Sequence, residues 1–149
     1  MPSAIFAPVA APLWAGLIQA LALMETRSPS ALAEEWIERW SPTEGSAGGE
    51  IEASVLDREL PREQPDLCLA AILEVLGRID SSSPNHLLGV LAAGPLEDLL
   101  IYNGDAVVAE VDLLARRDPG FRLLLNGVWD SRIKPDILAR LAKYRSNPW

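Results

Sequence analysis

Glu97, Asp98 and Asp105 are the carboxylates of this sequence whose spacing invites a chemical reading, and His86 is its one histidine. Paired carboxylates can divide the work of a general acid and a general base, and a nearby imidazole can carry protons near neutral pH. Clustered carboxylate oxygens can also hold a hard divalent cation. Two features oppose that chemistry. Asn103-Gly104 lies between Asp98 and Asp105 and predicts a helix stop there. Acids at the start of a helix are also what the helix dipole favours. We therefore read these acids as helix-start charges and assign no catalytic, cofactor-binding or metal-binding residue. An enzyme using His86 with Glu97 and Asp98 stands behind two binding roles given below. The nucleophile elbow, the phosphate loop, the paired-histidine zinc helix and the dinucleotide glycine pattern are all missing from the sequence. Cys68, the single cysteine, sits in an apolar run and reads as a small buried hydrophobe in a reducing compartment.

The charge balance points to partners rather than to a reaction. The formal net charge is −8, unevenly distributed. From Glu25 to Asp66 there are eleven acids and four bases, and from Asp80 to Asp112 six acids and no base. From Arg116 to Arg145 the balance reverses, with eight bases and three acids. Net negative charge repels phosphate backbones, so no nucleic-acid partner is expected. It suits a protein partner with a basic surface. Glu34, Glu35, Glu38, Glu97, Asp98, Asp105 and Trp149 form the candidate interaction surface, with Trp149 read as part of an exposed tail.

The elements that would carry these residues are helical. Ala4–Leu23 is uncharged and nearly long enough for a bilayer. It lacks a basic start, Pro8 and Pro12 interrupt its first half and Gln19 its second. Neither export nor stable membrane insertion is expected; the apolar segment 4–24 reads as a helix packed on its own domain or on a partner. Ser28-Pro29 predicts a capped start for ALAEEWIERW, which puts Ala33, Trp36, Ile37 and Trp40 on one face. SPTEGSAGGE, 41–50, has no large apolar anchor and reads as a flexible insertion. A short helix is expected within Ile51–Leu60. Asp66 is expected to cap LCLAAILEVLGRI, apolar on nearly all sides and therefore central.

Past a Ser-rich loop, His86–Ala93 reads as a short helix. Gly94-Pro95 predicts a new start, Asn103-Gly104 a stop, and Asp105 a further start, with Val107, Val111 and Leu114 as its apolar stripe. Asp118-Pro119 predicts another start and Asn126-Gly127 another stop. Trp129 reads as a core plug, and Pro135 opens a last helix. No alternating strand pattern occurs. The fold class is all-α: short antiparallel helices in a bundle or a repeat-like stack, forming one domain over 1–149.

The strings AAGPLEDLL (Ala92–Leu100) and DPxFRxxLxGVW (Asp118–Trp129) resemble those of a family of small bacterial proteins known only as a domain of unknown function. The resemblance covers Asp66–Trp129. It implies an all-helical fold and supplies no activity, cofactor or site residue. The expected role is a non-enzymatic, cytoplasmic interaction domain; one concrete form is an immunity- or antitoxin-like protein that blocks a basic bacterial partner. The alternative is a homo-oligomeric scaffold assembled through the apolar segment 4–24.

Overall fold

In a computed structural model, the structure describes residues 27–42 and 54–149. The expected helix at 4–24, and the insertion at 41–50 beyond Ser41 and Pro42, lie outside the described residues. Those described form α-helices, with no strand among them.

Helix α1, Pro29–Trp40, starts as its sequence dictates: the Ser28 hydroxyl accepts the Ala31 N–H at 3.0 Å, and proline occupies the first turn. Two single-turn helices follow, α2 at Val55–Arg58 and α3 at Leu60–Glu63. Helix α4, Pro65–Leu76, buries Cys68, Leu69, Ala71, Ile72, Val75 and Leu76, and α1 packs along it. Gln64, not Asp66, precedes this helix. Pro65 takes the first helical position, so Asp66 becomes a first-turn acid rather than the cap.

The next helices depart from the expected punctuation. Helix α5, His86–Leu91, does not end before Pro95. It continues through a π-helical stretch, Ala92–Leu96, into α6, Glu97–Arg117. A mid-helix proline collides with the carbonyl four residues back and supplies no N–H. The wider π turn relieves both demands, so Pro95 is absorbed rather than excluded.

Asn103-Gly104 does break the helix where the sequence predicts it, as a kink between two helical pieces of α6. Asn103 alone leaves helical geometry (φ −135°, ψ 29°), and Asp105 stands in the first turn of the second piece. The kink has tertiary causes. The Asn103 amide donates to the carbonyls of Pro61 (2.6 Å) and Arg62 (3.0 Å), satisfying the end of α3. A β-carbon on Gly104 would stand 2.2 Å from Ile137 Cδ1. Glycine is therefore what lets α6 approach α8, Pro135–Leu141.

Helix α7, Pro119–Asn126, begins as predicted, with Asp118 accepting the Gly120 N–H at 2.8 Å. It ends at Asn126 as predicted, though Gly127 keeps a negative φ of −88°. Gly127 serves packing instead, because a β-carbon there would meet the Trp149 ring at 2.8 Å. Asn126 is buried and fixes the C-terminal stretch. Its amide donates to the carbonyls of Arg122 and Tyr144, and its oxygen accepts the Asn147 N–H. The core runs through Trp36, Leu56, Ile72, Leu88, Leu91, Leu96, Leu99, Leu100, Phe121, Leu124 and Leu141.

Candidate interaction surface

The predicted surface residues divide into acids already engaged within the chain and a cluster around the start of α6. Glu34 pairs with Arg78 at 3.4 Å, and Glu35 lies 3.6–3.7 Å from Arg39 and Arg27. Glu38 is exposed on α1. Asp105 pairs with Lys134 at 2.7 Å, away from the partners of Asp98. These pairs are solvent-exposed and contribute little stability, but they leave less uncompensated acid than the composition suggests.

Trp149 is not a frayed end. Its indole N–H donates to the Leu123 carbonyl (2.9 Å), its backbone N–H to the Asn126 carbonyl (3.2 Å), and its ring lies against Gly127. At 38% exposure it covers α7 with one face and shows the other to solvent.

Trp129 is a correction. Read as a plug, it is 70% exposed, the most open of the large hydrophobic residues described. The reason is local. Helix α7 ends at Asn126, Val128 turns inward at 3% exposure, and the next side chain must point out. The backbone beneath the indole is fixed, because the Trp129 N–H donates to Glu97 Oε1 at 3.0 Å. That bond joins the two strings, AAGPLEDLL and DPxFRxxLxGVW, in space.

Around this bond gathers a group that sequence reasoning only half found. Asp98 lies one residue on, and Tyr102 one turn further along α6, 41% exposed. The Arg62 guanidinium, delivered by α3, stacks 4.4 Å above the Tyr102 ring and donates to its hydroxyl at 3.0 Å. Arg132, from the loop after Trp129, donates to the same hydroxyl at 3.5 Å. Nothing local in the sequence marks Arg62, Tyr102 or Arg132 as neighbours; α3 and the 128–134 loop bring them together.

The electrostatics here follow from partial burial of both acids. Partial burial pushes the Glu97 carboxyl above its ordinary range and Asp98 adds to the rise, while the Trp129 N–H and Arg132 oppose it. Asp98 is also pushed up by burial, with Arg62 and Arg132 pulling it down and Asp57 pushing it further up. Desolvation wins at both, so each carboxylate carries charge the fold accommodates poorly. His86 belongs elsewhere. It lines a groove with Trp40, Asp57 and Val90, while Glu97 and Asp98 engage Trp129, Arg62 and Arg132. Among the described residues no group of three His, Cys, Asp or Glu could hold a metal ion. Cys68 is buried, and burial with the Asp98 and Asp57 carboxylates pushes its thiol far above the ordinary range, which makes it a poor nucleophile.

What remains is an aromatic and arginine face with two partly buried carboxylates, and its tryptophan, tyrosine and arginines are typical of contact hot spots. No helix among the described residues is long and apolar enough to cross a membrane. A family model described as a family of unknown function (DUF6869) matches residues 51–149. That match is wider than the resemblance to Asp66–Trp129 and takes in α2, α3 and α8. No curated protein and no solved structure matches the chain.

Proposed function

The chain belongs to this family of unknown function, and from the surface just described we propose that it acts by binding another protein, with Trp129 as the anchor. One observation carries the reading: a 70% exposed indole held on a backbone tied to Glu97. An exposed tryptophan on an unrestrained loop would lose backbone freedom on binding, whereas the backbone carrying this one is already tied to Glu97. Tyr102, clamped under Arg62, extends the same preorganised patch.

The net charge of −8 favours a basic partner and speeds encounter with it. Glu97 and Asp98 give that attraction a local form. A cation brought against them would relieve the cost of their desolvated charge. An immunity- or antitoxin-like blocker of a cationic protein is the concrete role this combination suits.

The test is affinity isolation from the native host with the full chain, at low and high salt, alongside Trp129→Ala. A partner retained at low salt, released by high salt and lost with the variant is the expected result. A partner bound equally by the variant, or none at either salt concentration, would refute the reading.

A further inference from the structure

We propose that the groove beside Asp57 receives an arginine side chain of the protein partner. This deepens the binding role above and adds a second point of contact, remote from Trp129 in sequence and distinct from it in chemistry.

The groove has a volume of about 600 Å³ and is walled by Trp40, His86, Val90, Ala93 and Gly94, with Asp57 among its lining. Asp57 is half-buried and accepts from uncharged donors. Its Oδ1 takes the Trp36 indole N–H at 2.9 Å, and its Oδ2 takes the Trp40 indole N–H at 3.0 Å, the Ser54 N–H and the Ser54 hydroxyl. Among the described residues no Lys or Arg forms an ion pair with it. Arg58 and Arg62 line a neighbouring cleft with Asp57, but among the described residues neither forms an ion pair with it.

Of the two oxygens, Oδ1, which has fewer donors among the described residues, lies beside Gly94 in the groove wall. A β-carbon built on Gly94 would stand 3.6 Å from Oδ1, so the missing side chain leaves an approach to it. Each carboxylate oxygen can accept more than one hydrogen bond, and among the described residues Oδ1 has one donor while Oδ2 has three. The surrounding surface is apolar apart from Asp57, Asn85 and His86.

These features select the occupant. A carboxylate compensated by neutral donors attracts a cation. The Trp40 indole on the wall favours a planar cation that can stack on it, and guanidinium is less costly to dehydrate than ammonium. Val90 and Ala93 suit the three methylenes that carry the guanidinium. Arginine meets all three conditions at once.

The test uses the full chain and two short peptides, acetyl-Gly-Arg-Gly-amide and the same peptide with citrulline, which keeps the shape and removes the charge. Nitrogen–proton NMR follows the Trp40 indole N–H and the Gly94 and Val90 amides. The arginine peptide is expected to shift these signals and the citrulline peptide to bind about tenfold more weakly, the size of one charge-assisted contact. Ala93 is exposed on the rim, so its substitution spares the core. Ala93→Lys should weaken the arginine peptide and Ala93→Glu should tighten it. Equal response to both peptides, shifts centred elsewhere, or the same direction of change in both variants would overturn the proposal. Its failure is separable from that of the Trp129 reading. A partner lost with Trp129→Ala but indifferent to Ala93→Lys would sink the groove alone, whereas arginine-selective shifts with no captured partner would sink the Trp129 reading alone.

Discussion

Helix α6 carries acids at both ends, and the two ends treat them oppositely. Near its C-terminal half, Asp112 is buried to 7% exposure and surrounded by compensation. The Tyr144 hydroxyl and Arg140 both donate to it, and Arg116 and Lys143 lie within 3.7 and 3.9 Å. The Tyr144 and Arg140 hydrogen bonds hold its carboxyl below the usual range against the opposing effect of burial, with Lys143 and Arg116 assisting. At the other end, Glu97 and Asp98 sit partly buried beside two arginines and are nevertheless pushed up. The contrast separates an acid that secures the fold from acids whose charge the fold tolerates. Asp112 ties α8 and the 3₁₀ turn Ala142–Tyr144 to α6. Glu97 and Asp98 hold up an exposed face.

The largest break in this contrast should come from Asp112→Ala. It leaves Arg140, Lys143 and Arg116 crowded without their anion and frees Tyr144. Thermal unfolding should start much lower, and limited proteolysis should cut first within 134–149. An unchanged melting curve would remove Asp112 from its role. Next in size is Gly104→Ala, at the kink between the two ends. Its β-carbon would strike Ile137, and an overpacked contact of this kind costs about 1–3 kcal/mol in denaturant unfolding.

The pH dependence sharpens the same contrast with smaller effects. Asp112 is depressed when folded, so its contribution is present above the ordinary carboxylate range and is lost as pH falls through its lowered value. Glu97 and Asp98 are raised when folded, so their ionisation opposes folding above that raised range. The cost disappears as they take up protons in mild acid. Asp112→Asn should therefore flatten the acid limb of a stability profile, while Asp98→Asn should stabilise the chain above mild acid and leave that limb in place. The same sign of change from both would abolish the distinction. Smallest is the effect of Trp129→Ala on stability, expected to stay within about 0.5 kcal/mol because the ring covers little of the core. A larger loss would make Trp129 a structural residue after all.

Much of the helical reading survives contact with the structure for a local reason. Ser28-Pro29, Asp118-Pro119 and Pro135 open helices because a cap or a fixed φ acts over three or four residues. The apolar spacing of Trp36, of Ile72, and of Val107 with Val111 likewise chose the buried faces. The candidate surface was legible only in part. Glu97 and Asp98 stand out in the sequence, but Arg62, Tyr102 and Arg132 meet across intervals of tens of residues. Trp129 breaks the pattern because large hydrophobicity does not by itself mean burial, and a tryptophan is also what an exposed contact face uses.

By itself, then, the sequence determined that the chain is all-α, where several of its helices begin, and which faces they bury, since capping, dihedral preference and apolar periodicity act within a few turns. Only the tertiary structure decided that Pro95 would be carried inside a helical run, that the break at Asn103-Gly104 would be a kink, and which carboxylates would be compensated. Ile137, the carbonyl ends of α3, and the cations around Asp112 are distant along the chain, and what they do to a helix or a charge depends on packing and desolvation that no local pattern encodes.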